Sequence, residues 1–126
     1  MSVRVEGVID LPHVDLADTE GLYETFLFLR EHRLCKELQD YAAEYAPNRV
    51  RLTHVRRAWS YVEFIDGKVC WDEHYKQTVK EKDAILKALR EYYPMVKKAT
   101  EILKTVGSGK LSYDKEKECI VLEVEE

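Results

Sequence analysis

Glu63, Cys70, Asp72 and His74 are residues whose types and spacing could do chemistry together. Carboxylate, thiol and imidazole are the groups that a metal centre or an acid/base pair requires. The 70, 72, 74 spacing has the period of a β-strand, which sends alternate side chains to one face. Glu63 joins them through a turn. Asp66-Gly67 separates the runs RAWSYVEFI and KVCWDEHY, and Asp-Gly between such residues specifies a two-residue type I′ hairpin.

Pairing through that turn sets Phe64 opposite Val69, Val62 opposite Trp71, Ser60 opposite Glu73 and Ala58 opposite Tyr75, a mostly apolar face expected in the core. The other face carries Ile65 opposite Lys68, Glu63 opposite Cys70, Tyr61 opposite Asp72 and Trp59 opposite His74. A solvated antiparallel sheet ordinarily shows such a mixture, so chemistry there needs a neighbouring element to supply a further group.

A basic patch is the second candidate. Arg49, Arg51, Arg56 and Arg57 occur with no acidic residue between Asn48 and Val62, beside Trp59 and Tyr61. Guanidiniums for phosphates and aromatics for stacking bases are what single-strand binders display on an exposed sheet. The alternative is a solvated strand whose arginines pair with the abundant glutamates. Two weaker clusters are His32 with Cys35, one helical turn apart, and His13 with Asp10 and Asp15 in the loop after the first strand. No Walker loop, G-x-G-x-x-G, G-x-S-x-G or H-E-x-x-H occurs, so no cofactor or metal is expected and an enzyme is the less favoured class.

The elements that must position these residues follow from periodicity. Residues 3–11 alternate, with Val3, Val5, Ile9 and Leu11 on one side, as a first strand ended by Pro12. Asp18 or Thr19 can cap a helix over residues 20–46, read as one helix stopped by Pro47, with Arg30 to Arg33 the place for any break. Residues 48–55 alternate as a strand that runs through a bulge near Arg56-Arg57 into the hairpin. Thr78-Val79-Lys80-Glu81 has the form of a capping box opening a helix to Val106. Its heptad seam is Ile85, Leu89, Tyr92, Val96, Ala99, Leu103 and Val106, and Pro94 is expected to kink it or to start a new helix. After Gly107-Ser108-Gly109 come a short strand with Leu111 and Tyr113, a turn at residues 114–117, and a strand with Ile120, Leu122 and Val124.

The expected fold is α+β: a single domain over residues 1–126, an antiparallel sheet with two helices in ferredoxin-like β-α-β-β-α-β order, and a C-terminal strand or hairpin in addition. The chain has 126 residues, 45% hydrophobic and 35% charged, enough for one core. One Asn and two Gln among many Glu and Lys is a thermophile-like bias. Three cysteines without a C-x-x-C pair, no secretory signal and no membrane-length apolar run lead to an expectation of a cytoplasmic protein without membrane partners. A net charge of −4 confines any nucleic-acid binding to a local patch. The surplus width of the second helix's stripe, with Leu86, Tyr93 and Ile102, leads to an expected homodimer.

Three function classes are thus in play. The first is a small non-enzymatic binding or regulatory module using the sheet face with Arg49, Arg51, Arg56, Arg57, Trp59, Tyr61, Asp72 and His74, with nucleic acid as a possible ligand. The second is a metal-dependent or acid/base enzyme centred on Asp72 and His74. The third is a structural or interaction protein with no ligand site.

Overall fold

Asp66 and Gly67 take φ values of 53° and 73°, the left-handed pair that a type I′ turn requires. They join β4 (Tyr61–Ile65) to β5 (Lys68–Asp72), with Val62 opposite Trp71, Glu63 opposite Cys70, Phe64 opposite Val69 and Ile65 opposite Lys68. The expected register holds over these pairs. It ends before Ser60 and Ala58, because the chain ahead of Tyr61 is a loop.

The computed structural model describes residues 4–7, 9 and 11–125. Val3 of the expected first strand and Asp10 of the loop cluster lie outside them. The first strand, β1, is Arg4–Gly7. It is followed by helix α1 (Thr19–Glu31), a 3-10 turn at Glu37–Asp40, β2 (Tyr41–Ala46) and β3 (Arg49–His54). After β4 and β5 come the long helix α2 (Lys76–Val106) and the strands β6 (Gly109–Asp114) and β7 (Cys119–Val124). The main sheet has five strands in the order β1-β5-β4-β3-β2, every neighbouring pair antiparallel, and β6 and β7 form a separate two-stranded sheet. The architecture is α+β, but the strand number and order depart from the expected ferredoxin-like pattern. One crossover through α1 carries the chain from β1 to the far edge, and a meander then walks back to it.

The departure comes from β2, which replaces the second half of the expected helix over residues 20–46. Arg33 takes φ 53°. The N–H of Leu34 donates to the carbonyl of Leu29 at 2.9 Å and that of Arg33 to Arg30 at 3.3 Å, which is a Schellman termination built without glycine. The break falls within the charged segment where one was conceivable, yet the continuous helix expected there does not form. Pro47 and Asn48 turn β2 into β3, pairing Ala46 with Arg49 and Tyr41 with His54.

Two further expectations are corrected. β3 does not bulge into β4; residues 55–60 reverse the chain, and Leu52 pairs antiparallel with Val62. The imidazole Nδ1 of buried His54 accepts the N–H groups of Arg56 (3.1 Å) and Arg57 (3.2 Å) and so shapes that reversal. The capping box at Thr78–Glu81 is absent, since α2 begins at Lys76 without a side-chain cap. Pro94 lies inside a helix whose assignment is continuous from Lys76 to Val106.

Both helices pack on one face of the main sheet. Leu22, Phe26 and Leu29 of α1 and Ile85, Leu89 and Tyr92 of α2 meet Val50, Leu52, Val62, Phe64, Val69 and Trp71 in one core. Asp18 ties the helices together. Its Oδ1 caps α1 by accepting from Gly21 N at 3.1 Å, and its Oδ2 accepts from Tyr93 Oη and Lys97 Nζ of α2, each at 2.7 Å. With 31 residues, α2 is about 46 Å long, far longer than the strands, and its C-terminal half carries the β6–β7 hairpin. Gly109 opens that hairpin where a Cβ would collide with the Glu123 carbonyl and the Leu103 side chain.

Candidate binding face

The helices cover one face of the five-stranded sheet, and alternation sends Arg4, Arg49, Arg51, Thr53, Tyr61, Glu63, Cys70 and Asp72 to the other. At its centre Glu63 is nearly buried. Its Oε1 accepts from Arg4 Nη2 at 2.8 Å, and its Oε2 lies 3.2 Å from Arg51 Nη1 and 3.7 Å from Arg49 Nη1. Burial opposes the Glu63 charge, but the hydrogen bonds and charges of Arg4 and Arg51 outweigh it and hold the carboxyl below its ordinary value. The hydrogen bond to Glu63 raises Arg4 in turn.

Tyr61 lies among these guanidiniums. Arg51 is 4.4 Å and Arg4 5.6 Å from its ring centroid, and Arg4 Nη1 donates to its hydroxyl at 3.4 Å. The layering of charge matters more than its sum. Glu63 and Asp72 form the floor, with side-chain exposure of 5% for Glu63, whereas Arg4, Arg49 and Arg51 are 47%, 42% and 29% exposed. Exposed acids flank these cations, Glu6 across from Cys70 and 3.4 Å from Lys68, and Glu44 across from Arg51, so the guanidiniums form a local patch on this face.

The remaining site candidates lie elsewhere. Arg56 points outward, 3.4 Å from Asp40. Arg57 turns to the helix side and grips Glu81 at 2.7 and 3.0 Å. Trp59 packs on Tyr75 with ring centroids 4.0 Å apart, Arg57 lies 5.5 Å from the Trp59 ring, and His74 meets Tyr75 edge-on at 4.6 Å. The eight candidates therefore separate into a face group of Arg49, Arg51, Tyr61 and Asp72, an end cluster of Arg57, Trp59 and His74, and the outlying Arg56.

The proposed acid/base partners meet through the backbone, with Asp72 Oδ1 accepting from His74 N at 2.9 Å. Burial pushes the Cys70 thiol up, away from the thiolate that a nucleophile or metal ligand needs. His32 packs on Phe28, and Cys35 is buried beside Glu37. Among the described residues no three of His, Cys, Asp and Glu converge as a metal cage.

Arg4 is the face residue that the sequence reading missed. Its only signal was a position on the first strand, whose partner strand could not be assigned. Also missed was a buried polar chain beneath the end cluster. Tyr41 Oη bonds Ser60 Oγ (2.9 Å) and Glu81 Oε1 (3.0 Å), and Ser60 Oγ bonds Thr78 Oγ1 (2.9 Å). Thr78 and Glu81 are the two residues expected to cap a helix; they hold the sheet to α2 instead. No family model, curated protein or solved structure matches the chain.

Proposed function

We propose that this chain is a small binding module whose open sheet face takes an anionic partner, with single-stranded nucleic acid as the ligand class. The observation that carries the reading is the layering of Arg4, Arg49 and Arg51 over buried Glu63, with Tyr61 among them as a ring on which a base can stack. Guanidiniums already oriented by a carboxylate lose little freedom when they meet phosphates. A homodimer belongs to the same reading, resting on the apolar surface that α2 and its hairpin leave exposed at Ile102, Val106 and Val124.

Fluorescence anisotropy with a labelled single-stranded oligonucleotide tests the ligand. Binding should weaken with salt at a slope near −2, about 0.7 for each of three phosphates. Arg51→Ala and Tyr61→Ala should each weaken it about tenfold. Absent binding at low salt, or binding indifferent to both variants, refutes the proposal.

A further inference from the structure

We infer that the free edge of β6 takes an extended basic peptide of another protein as an added antiparallel strand, with one apolar side chain seated in the groove between β6 and α1. This is independent of the nucleic-acid reading, which concerns the open face of the main sheet. Among the described residues β6 pairs with β7 alone, and an unpaired edge is a template for one more strand. Beside that edge runs a groove of about 380 Å³, lined by Leu27 and Phe28 of α1, Val96 of α2 and Gly109 to Leu111 of β6, with Glu24 and Glu31 on its rim. Leu27 is 42% exposed on its wall. Spaced 24, 27, 28 and 31, the four α1 residues form one helical stripe with an acid at each end and apolar side chains between. Among the described residues neither acid pairs with a lysine or arginine: Lys97 of α2 is held by Asp18 at 2.7 Å, and Glu31, 70% exposed, lies 4.0 Å from His32.

The backbone fixes the register of the added strand. Glu125 N donates to the Ser108 carbonyl at 3.3 Å, so by alternation Lys110, Ser112 and Asp114 turn their peptide groups to β7, while those of Gly109, Leu111 and Tyr113 face the open edge. These three residues share the face that packs on α2, where Tyr113 meets Tyr92 with ring centroids 5.8 Å apart. Opposed residues share a face, so a peptide residue across from Leu111 exchanges hydrogen bonds with it and points into the groove toward Leu27 and Phe28. Its neighbours two positions away, across from Gly109 and Tyr113, point the same way and lie about 13 Å apart. Glu24 and Glu31 are about 10 Å apart along α1, within reach of two lysine or arginine side chains so placed. The occupant is therefore a segment of the form basic-x-apolar-x-basic. Lys110 does not oppose it, because its side chain lies on the other face of β6, across from Glu123. A second copy pairing through β6 would carry its own α2 against α1, whereas a lone strand brings only its side chains.

Fluorescence anisotropy of the full chain with a labelled synthetic peptide, Lys-Thr-Leu-Thr-Lys flanked by glycines, tests this. The peptide should bind, and its counterpart with glutamates in place of the lysines should bind about tenfold more weakly or worse, since two attractions become repulsions. N-methylation of the peptide's leucine removes the donor to the Leu111 carbonyl and should weaken binding about tenfold. Glu24→Lys and Glu31→Lys, each folded by circular dichroism, should each weaken the lysine peptide about three- to tenfold and strengthen the glutamate peptide. Hydrogen exchange at the Leu111 and Tyr113 amides should slow when the lysine peptide is bound. No binding at roughly 1 mM chain, where even weak association is populated, overturns the inference. So does an N-methylated peptide that binds as well as its parent, or binding indifferent to both charge variants. Leu111 and Tyr113 amides that become protected as the chain is concentrated without peptide would place a second copy on this edge and overturn it as well.

Discussion

Glu63 holds Arg4, Arg49 and Arg51 over the sheet and masks part of their charge. These two effects separate in Glu63→Gln. The variant keeps the volume and a hydrogen-bond acceptor but frees the guanidiniums, which are exposed enough to rehydrate. Urea unfolding should show a loss of about 1–2 kcal/mol, while oligonucleotide affinity should rise. A fall in affinity would show that orientation of the arginines by Glu63 outweighs their release. The pH dependence has a definite sign. Glu63 and Asp18 are both held below their ordinary values, burial being outweighed by Arg4 and Arg51 in the first case and by Lys97, Tyr93 and Gly21 in the second. Their stabilisation is therefore complete above the unfolded carboxylate range, near pH 4, and is lost as the pH falls through the lower folded values. Denaturant midpoints measured from pH 6 to pH 2 should fall most steeply below pH 4, and less so in Asp18→Asn.

Each helix is bounded by local chemistry that can be varied. Arg33 ends α1 in the left-handed region at φ 53°, a conformation that costs a residue with a Cβ about 1 kcal/mol and glycine almost nothing. Arg33→Gly should therefore raise stability by about 0.5–1 kcal/mol, read as a higher denaturation midpoint; an unchanged or lower midpoint would mean that the arginine side chain itself contributes there. Asp18 joins a cap on α1 to two contacts with α2. Its replacement by Ala should cost about 2–3 kcal/mol, combining a lost cap with an unpaired Tyr93 hydroxyl. Asp18→Asn, which keeps the cap, should lose about half as much. Equal losses would assign the whole effect to the Oδ2 contacts with Tyr93 and Lys97, which the amide nitrogen of asparagine cannot accept.

At the scale of the molecule, buried tyrosines set an alkaline limit. Burial pushes Tyr41 up to about 12, and burial likewise raises Tyr92 and Tyr93. In the unfolded chain tyrosine ionises near pH 10. The stabilisation from the neutral hydroxyls is thus full below pH 10 and is lost as the pH rises through the folded values. Stability should hold to about pH 10 and then fall steeply, with phenolate absorbance at 295 nm rising together with unfolding. Tyr41→Phe should flatten part of that fall, while costing stability at neutral pH through the partners it leaves at Ser60 and Glu81.

Local chemistry was enough to specify the β4–β5 hairpin. Asp66-Gly67 demands two left-handed residues in succession, and alternation around it fixed which side chains oppose one another and that Val62, Phe64, Val69 and Trp71 belong to the core. The span of α2 was legible for a related reason, since its apolar stripe repeats within the segment itself. Strand β2 was not legible. Tyr41, Ala42, Ala43, Glu44 and Tyr45 suit a helix in isolation, and α1 stops on Arg33 without the glycine that announces such an end; pairing with β3, remote from these local preferences, decides the outcome. The site divided in the same way. Sequence alone put Tyr61, Glu63 and Asp72 on one face because that depends on parity; it carried the same parity on to Trp59 and His74, past the point where the ladder ends, and grouped Arg56 and Arg57 with them by proximity along the chain. Only the tertiary structure added Arg4, placed across from Asp72, and turned Arg57 away to Glu81. Parity is a property of one strand, whereas the neighbour of an edge and the course of a loop are set by packing of the whole chain.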